Sequence, residues 1–198
     1  MWVDVIVEDV LRTRPTTQHV INDAKSPSGP IHVGSLRGVI LHDCVARGLQ
    51  AKNHSVTFLF GFDDYDPLDS RPAAVPVEFD RYLGMPLSDV PSPDGGGGSY
   101  ARHYGLGFER VWKTLGAHPD VYWTSEMYKS GQYNDAITLA LDRADELIQI
   151  DREISGSQKA ERHPVQVICE SCGRIGTTVV TGWDGRQVSY ECRPDKVA

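Results

Sequence analysis

The chain contains no run of about 18 apolar residues of the kind that spans a bilayer. Its start, Met1-Trp2-Val3-Asp4, also lacks the basic region and the apolar stretch of about 7 to 15 residues that a signal peptide needs. No membrane partner is therefore expected, and the expected location is cytoplasmic. Cysteine is scarce, with 4 in 198 residues. That is too few, and too unevenly placed, for a disulfide-stapled secreted domain, and the clustering of three near the C-terminus favours a reducing compartment. Positive charge is short as well: 20 Lys and Arg stand against 27 Asp and Glu, a formal net charge of -7. A generic basic surface coating nucleic acid is excluded, although a local basic stripe is not, so nucleic-acid binding does not follow from charge. No internal repeat is visible. What is present, 40% hydrophobic residues, suits a folded protein with one sizeable core or a core plus a small appendage.

After the turn signal Arg14-Pro15, His19 to Asp23 read as a short buried strand. Ser35 to Gln50 carries Leu36, Val39, Ile40, Cys44 and Val45 as a helical stripe, and Ser55 to Phe62 is a run of strand formers. Strand, loop, helix, strand is a βαβ unit. It implies a parallel sheet with a right-handed crossover and ligands outside the carboxyl ends of the strands. Residues 63–99 are rich in Asp, Pro, Gly and Ser around a helical turn at Val77 to Leu83, and read as an insertion over the sheet edge. Within it, Gly95 to Ser99 reads as a flexible linker, natural or spliced in. Tyr100 to Leu115 resumes helical spacing and Val121 to Thr124 reads as another strand. Asn134 to Ile150 puts Ile137, Ala140, Leu141, Ala144, Leu147 and Ile148 on one helical face. The expected architecture is α/β, a doubly wound parallel sheet of Rossmann type over residues 1–154. After Ser155-Gly156-Ser157 the texture changes, and residues 155–198 read as short strands (Val165 to Ile168, Thr177 to Gly182, Gln187 to Cys192) around an Asp184-Gly185 turn. This is a hairpin carrying a cysteine knuckle.

Between the first strand and the first helix lies Ser26-Pro27-Ser28-Gly29-Pro30-Ile31-His32-Val33-Gly34-Ser35. A phosphate site needs small residues where backbone meets phosphate, a helix start whose free amides and dipole favour anions, and a donor that follows developing charge. Gly29, Gly34, His32 and Ser35 supply these within one turn, and Pro27 and Pro30 fix the approach. The same spacing also fits an ordinary turn with Ser35 as a helix cap and His32 on the surface.

Asp63, Asp64, Asp66 and Asp69 follow the second strand, on the ligand side of an α/β sheet, where carboxylates hold magnesium through water or simply cap a solvated turn. Cys169-x-x-Cys172 and Cys192 place three thiols on two facing turns, one ligand short of the four that close a structural zinc site. His163 is one candidate for the fourth, and Cys44 reads as a small buried residue. His19, His42, His54, His103 and His118 have no spacing that forces a role. Phe108 and Trp112 read as core, and Trp123 and Tyr128 as core or as the lining of a pocket.

The segment Pro27 to Ser35 resembles the HIGH signature of class I aminoacyl-tRNA synthetases, in the form used by the class I lysyl-tRNA synthetases. Further matches follow in that family's order: Leu36-Arg37-Gly38, Phe62-Asp63-Asp64-Tyr65-Asp66-Pro67, Pro91-Ser92-Pro93-Asp94, Trp123-Thr124-Ser125-Glu126 with Tyr128-Lys129-Ser130-Gly131, and Cys169 to Cys172. The resemblance covers nearly the whole chain. It implies ATP-dependent adenylation of lysine and transfer of the lysyl group to tRNA(Lys), with Mg2+ as a cofactor, ATP bound at Pro27, Ser28, Gly29, Pro30, His32, Gly34 and Ser35, and His32, Gly34 and Ser35 as the catalytic residues. Ser35 stands where the signature's last histidine would be. The family's lysine pocket begins just before the motif, where this chain has Ala24 and Ser26; Ala24 replaces the family's glycine. By the same resemblance Asp64 and Asp66 are amino-acid-binding residues, and Cys169, Cys172 and Cys192 are ligands of Zn2+, with the set completed beyond Ala198. No KMSKS-type lysine loop or anticodon-binding domain follows Cys192, so the chain is expected to be the N-terminal part of the catalytic region, with weak activity or none by itself. Two other readings remain open from the residues. A noncatalytic zinc module would bind tRNA without ATP, and another nucleotidyl transferase would turn over ATP without lysine or tRNA.

Overall fold

The computed structural model describes residues 1–155 and 163–193. The expected break at Ser155-Gly156-Ser157 thus falls partly outside the described residues, as do positions 194–198. By internal contacts the chain forms two compact units that interleave in sequence: Met1–Asp64 with Pro91–Thr124, and Tyr65–Val90 with the described residues from Ser125 onward.

The first unit holds a parallel sheet in the order β1 (Gln18–Lys25), β2 (Ser55–Phe62), β3 (Asp120–Trp123). The expected strands and crossover helix are present. Gln18 to Lys25 pair in register with Ser55 to Phe62, and Leu59 to Phe62 with Asp120 to Trp123. Helix α1 (Trp2–Thr13) precedes the sheet and was not anticipated; it buries Val7. Its signal is the Val3–Val7 pair at i, i+4, which meets Gly48 of α2 (Val33–Ala51) so closely that a Cβ there would lie 2.7 Å from Val7 Cγ2. Proline at position 15 opposes helix in the residue before it, and α1 stops at Thr13. Helix α2 ends in a Schellman turn. Asn53 takes the left-handed φ of 64° while His54 N–H donates to Leu49 O and Asn53 N–H to Gln50 O. Cys44, expected to be buried, is half-exposed, because α2 buries the stripe Val39, Ala46 and Leu49 instead.

Strand alternation places Phe58, Phe60 and Phe62 on one face of the sheet. Helix α3 (Tyr100–Thr114) covers this face with Ala101, Gly105, Phe108 and Trp112, spaced i, i+4, i+7, i+11. Phe60 and Trp112 ring centroids lie 4.6 Å apart, and Phe62 stacks on Trp123 at 4.4 Å. The same face of β1 meets α2, since a Cβ on Gly38 would fall 2.6 Å from Asp23 Oδ2. Both helices therefore cover one side of the sheet. On the other side Val20 is 69% exposed, Asn22 and Ala24 are exposed, and Tyr122 lies across Gly61 with its hydroxyl donating to Asn22 Oδ1 at 3.2 Å.

The run Gly95 to Ser99 is an ordered turn. Ser92 N–H donates to Gly98 O, Asp94 Oδ1 accepts from Ser92 Oγ and Gly96 N–H, and Gly95, Gly97 and Gly98 take positive φ values that a side chain would oppose. Ser99 then caps α3, its hydroxyl accepting from Arg102 N–H at 3.2 Å.

The second unit contains α4 (Thr124–Lys129), which starts on the last residue of the first unit, then α5 (Asn134–Asp142), α6 (Ala144–Ser155) and the antiparallel pair β4 (Thr178–Trp183) and β5 (Val188–Cys192). A short 3-10 helix at Val77–Tyr82 answers the expected helical turn. The single helix expected over 134–150 is two helices. The break at Arg143 follows Asp142, whose Oδ1 accepts from Trp183 Nε1 at 2.7 Å, a tertiary bond with no local signature. Val165 to Ile168 form no strand. The β4–β5 turn is at Asp184-Gly185 as expected, with Gly185 at φ 92° and Asp184 Oδ1 accepting from Arg186 and Gln187 N–H. Among the described residues no helix is long and apolar enough to cross a membrane.

Candidate functional site

The last rungs of the three parallel strands, Lys25, Phe62 and Trp123, lie side by side in register. The Ser26 to His32 segment leaves β1 there and leads directly into α2, so the motif sits on the side of the sheet where ligands bind. His32 is the N-cap of α2, and its Nδ1 accepts from Gly34 N–H at 3.1 Å. A neutral imidazole whose Nδ1 accepts carries its proton on Nε2, so Nε2–H is the atom left to donate to an anion. Glycine at 34 follows from this packing, because a Cβ would lie 2.8 Å from both Cε1 and Nδ1 of the ring. His32 and Gly34 are exposed, and Ser35, in the first turn, sends its N–H to His32 O at 3.0 Å.

The approach to the helix is anchored at Ser28, whose carbonyl accepts from the Tyr100 hydroxyl at 2.9 Å. Tyr100 is fully buried, and burial pushes its phenol well above the usual range. Pro27 is buried, Gly29 is intermediate, and Ser28 and Pro30 are exposed. Tyr100 has no sequence signal as a partner of the motif, since 72 residues separate it from Ser28.

Ala24 is exposed on the uncovered face, beside Gly61, and its N–H is held by Asp23 Oδ1 at 2.9 Å. Asp23 Oδ2 lies 3.5 Å from His42 Nδ1, which also contacts Gly38 O at 2.8 Å. Neither Asp23 nor His42 stands out in the sequence. Ser26 is half-buried. Asp64 is only 1% exposed, and Thr124 Oγ1 lies 3.3 Å from its Oδ1 and 3.2 Å from Phe62 O. A buried carboxylate requires such partners. Trp123 belongs to the aromatic core, capped by the Arg102 guanidinium 3.8 Å above its ring.

In the second unit Asp66 is exposed at the start of a loop whose Asp66 O accepts from Leu87 N–H at 2.9 Å. Tyr128 stacks on Tyr65 with centroids 5.0 Å apart. Cys169, Cys172 and Cys192 bring their sulfurs within 4.8 Å of one another. Cys169 to Gly173 form a tight knuckle closed by Gly173 N–H to Cys169 O, with Gly173 at φ 71°, and Cys192 arrives from the end of β5. The knuckle and the β4–β5 turn thus lie at separate points of the chain, so the thiols do not come from two facing hairpin turns. The backbone N–H groups of Cys172 and Ser171 pull the Cys169 thiol down to about 7. At Cys192 the Thr177 hydroxyl, 3.3 Å from Sγ, favours the thiolate, but burial and the two neighbouring sulfurs outweigh it and the thiol lies above its usual value. Soft donors so arranged suit a thiophilic divalent ion. His163 is not in this cluster; its Nδ1 contacts the backbone of Val165.

A parallel sheet with a histidine-capped helix start at its ligand-binding end defines an α/β protein of Rossmann-like type. The family described as tRNA synthetases class I (K) matches residues 1–197, and the chain belongs to it. The chain is 38% identical over 194 residues to a lysine--tRNA ligase of Methanosarcina barkeri, covering 96% of this chain and 36% of that protein. It is 37% identical over 192 residues to one from Archaeoglobus fulgidus (96% and 38%), and 32% identical over 193 residues to one from Methanocaldococcus jannaschii (96% and 36%). The chain therefore spans little more than a third of the length of these relatives.

Proposed function

We propose that this chain forms the ATP-binding part of a lysine--tRNA ligase, which adenylates lysine and passes the lysyl group to tRNA(Lys). The observation that carries this reading is the hydrogen bond from Gly34 N–H to His32 Nδ1 at the start of α2, which leaves Nε2–H of this exposed imidazole as the available donor. In the proposed reaction a carboxylate oxygen of lysine attacks the α-phosphorus of ATP in line, and the bond to the bridging oxygen breaks to release pyrophosphate. A ribose hydroxyl at the tRNA 3′ end then attacks the adenylate carbonyl and expels AMP. His32 Nε2–H would donate to phosphate oxygens as charge develops, assisted by the positive end of the α2 dipole. Gly34 keeps the imidazole in place, and Pro27, Ser28, Gly29, Pro30 and Ser35 would shape the backbone around ATP, which enters as its Mg2+ complex. Ala24, Ser26 and Asp64 are proposed lysine contacts, by resemblance to the family.

Cys169, Cys172 and Cys192 would hold Zn2+, which when bound cross-links the knuckle to β5. We assign the catalytic role to residues 1–154, with 63–99 as an insertion, and the zinc hairpin to 155–198. A doubly wound sheet is proposed by resemblance to the family; in this chain α2 and α3 cover one face, and Val20, Asn22 and Ala24 lie exposed on the other. A cytoplasmic setting is proposed with the family, and three thiols clustered as candidate metal ligands suit a reducing compartment. Isolated activity is expected to be low, and the reading is tested on the full gene product. Lysine should stimulate exchange of pyrophosphate into ATP, and His32→Ala should abolish it. Stimulation by a different amino acid and not by lysine would overturn the assignment.

A further inference from the structure

The cysteine knuckle and the loop that carries Asp66 are fastened together within the second unit. Gly84 O accepts from both Ile175 N–H, at 2.8 Å, and Gly176 N–H, at 3.1 Å. Arg174 adds two bonds to the same stretch, from Nε to Leu83 O at 2.9 Å and from its guanidinium to Arg81 O at 3.2 Å. The backbones approach closely here, since a Cβ on Gly176 would lie 3.4 Å from Gly84 Cα and 3.5 Å from Pro67 Cβ. From Gly84 the bonds continue toward Asp66. Gly84 N–H donates to Leu68 O, Leu68 N–H to Met85 O and Leu87 N–H to Asp66 O, at 2.8 to 2.9 Å. Arg174 also belongs to the knuckle, because its carbonyl accepts from Cys169 N–H at 2.8 Å. One residue thus closes the thiol turn with its backbone and grips the loop with its side chain.

We infer that metal capture at Cys169, Cys172 and Cys192 fixes the Asp66 loop, with Arg174 as the positioning residue that carries the effect. The inference rests on the metal reading proposed above and deepens the amino-acid-binding role given to Asp66. Metal binding converts a turn held by hydrogen bonds into a closed chelate, and the binding free energy becomes local folding free energy. The Arg174 backbone then has one arrangement, so its guanidinium spends less side-chain entropy in reaching Leu83 O and Arg81 O. The two N–H groups presented to Gly84 O are fixed at the same time.

Hydrogen exchange followed by mass spectrometry on the 198-residue chain tests this, with the protein stripped by chelator and then given one equivalent of zinc. Zinc should slow exchange over residues 66–87 by about tenfold as well as over the knuckle. Arg174→Met should still take up one equivalent, read by thiolate-to-metal absorption with cobalt, but should lose most of the slowing at 66–87. Slowing confined to 165–193 in the unsubstituted chain overturns the inference alone, as does undiminished slowing in Arg174→Met. Failure to take up metal overturns the metal reading and the inference with it. The comparison with and without zinc in the unsubstituted chain decides the matter even where the variant does not fold.

Discussion

Gly34 donates its backbone N–H to Nδ1 of His32, so the imidazole that caps helix α2 keeps Nε2 as its remaining polar atom. One imidazole thus caps the helix with one nitrogen, and in the function proposed above the other donates to phosphate.

The two roles separate by substitution. His32→Asn keeps a capping side chain but loses the reach of Nε2–H, so thermal stability should stay near that of the unsubstituted chain while ATP affinity, read by calorimetry, falls about tenfold or more. His32→Ala should lose both, with roughly 1 kcal/mol of stability gone. Unchanged ATP affinity in both variants would remove His32 from the site.

Tyr100→Phe deletes the hydroxyl that holds Ser28 O at 2.9 Å without opening the core. The expected cost is about 1 kcal/mol in urea denaturation. ATP affinity should fall a few-fold, since the bond tethers the motif and not the ligand. A loss of stability with no change in ATP affinity would show that the tether does not shape the site.

Gly105 lies where α3 comes nearest the sheet, and a Cβ there would be 2.5 Å from Trp123 Cη2 and 3.3 Å from Phe62 Cε1. Gly105→Ala gains roughly 1 kcal/mol of helix propensity but overpacks a rigid aromatic core, at a cost of about 1 to 3 kcal/mol. Overpacking should win, with the urea midpoint shifting downward. A midpoint at or above that of the unsubstituted chain would mean the Trp123 ring yields.

In the metal-free chain the Cys169 thiol is lowered to about 7 by the N–H groups of Cys172 and Ser171. Thiolate absorbance should therefore rise in a step near that pH, a step that Cys169→Ser removes. The group is an acid whose folded value lies below the unfolded one of about 8.5. Its contribution to stability is thus fully present above about 8.5 and is lost as pH falls through about 7. A first thiolate step no lower than about 8.5 would contradict the hydrogen-bonded knuckle.

Much of the fold is legible in residue order. β2 was expected at Ser55 to Phe62 and has those limits, α2 exceeds the expected Ser35 to Gln50 by two residues at its start and one at its end, and α3 stops one residue before the expected Leu115. These elements carry strong periodicity and their own stop signals, Asn53 after α2 and Gly116 after α3. Where the pattern misled, the deciding interaction was distant. The Arg143 break goes with the bond from Trp183 to Asp142, and the Gly95 to Ser99 run, which reads as loose chain, closes onto Ser92 and Asp94.

By itself the sequence determined the parallel α/β core and the family, because periodicity, glycine placement and motif order are local properties of the chain. Only the tertiary structure decided which nitrogen of His32 is available, that Tyr100 holds Ser28, that Asp64 is buried beside Thr124, and that Arg174 binds the knuckle to the Asp66 loop. Tautomer, burial and anchoring depend on partners tens of residues away, and no local pattern encodes where a folded chain brings them.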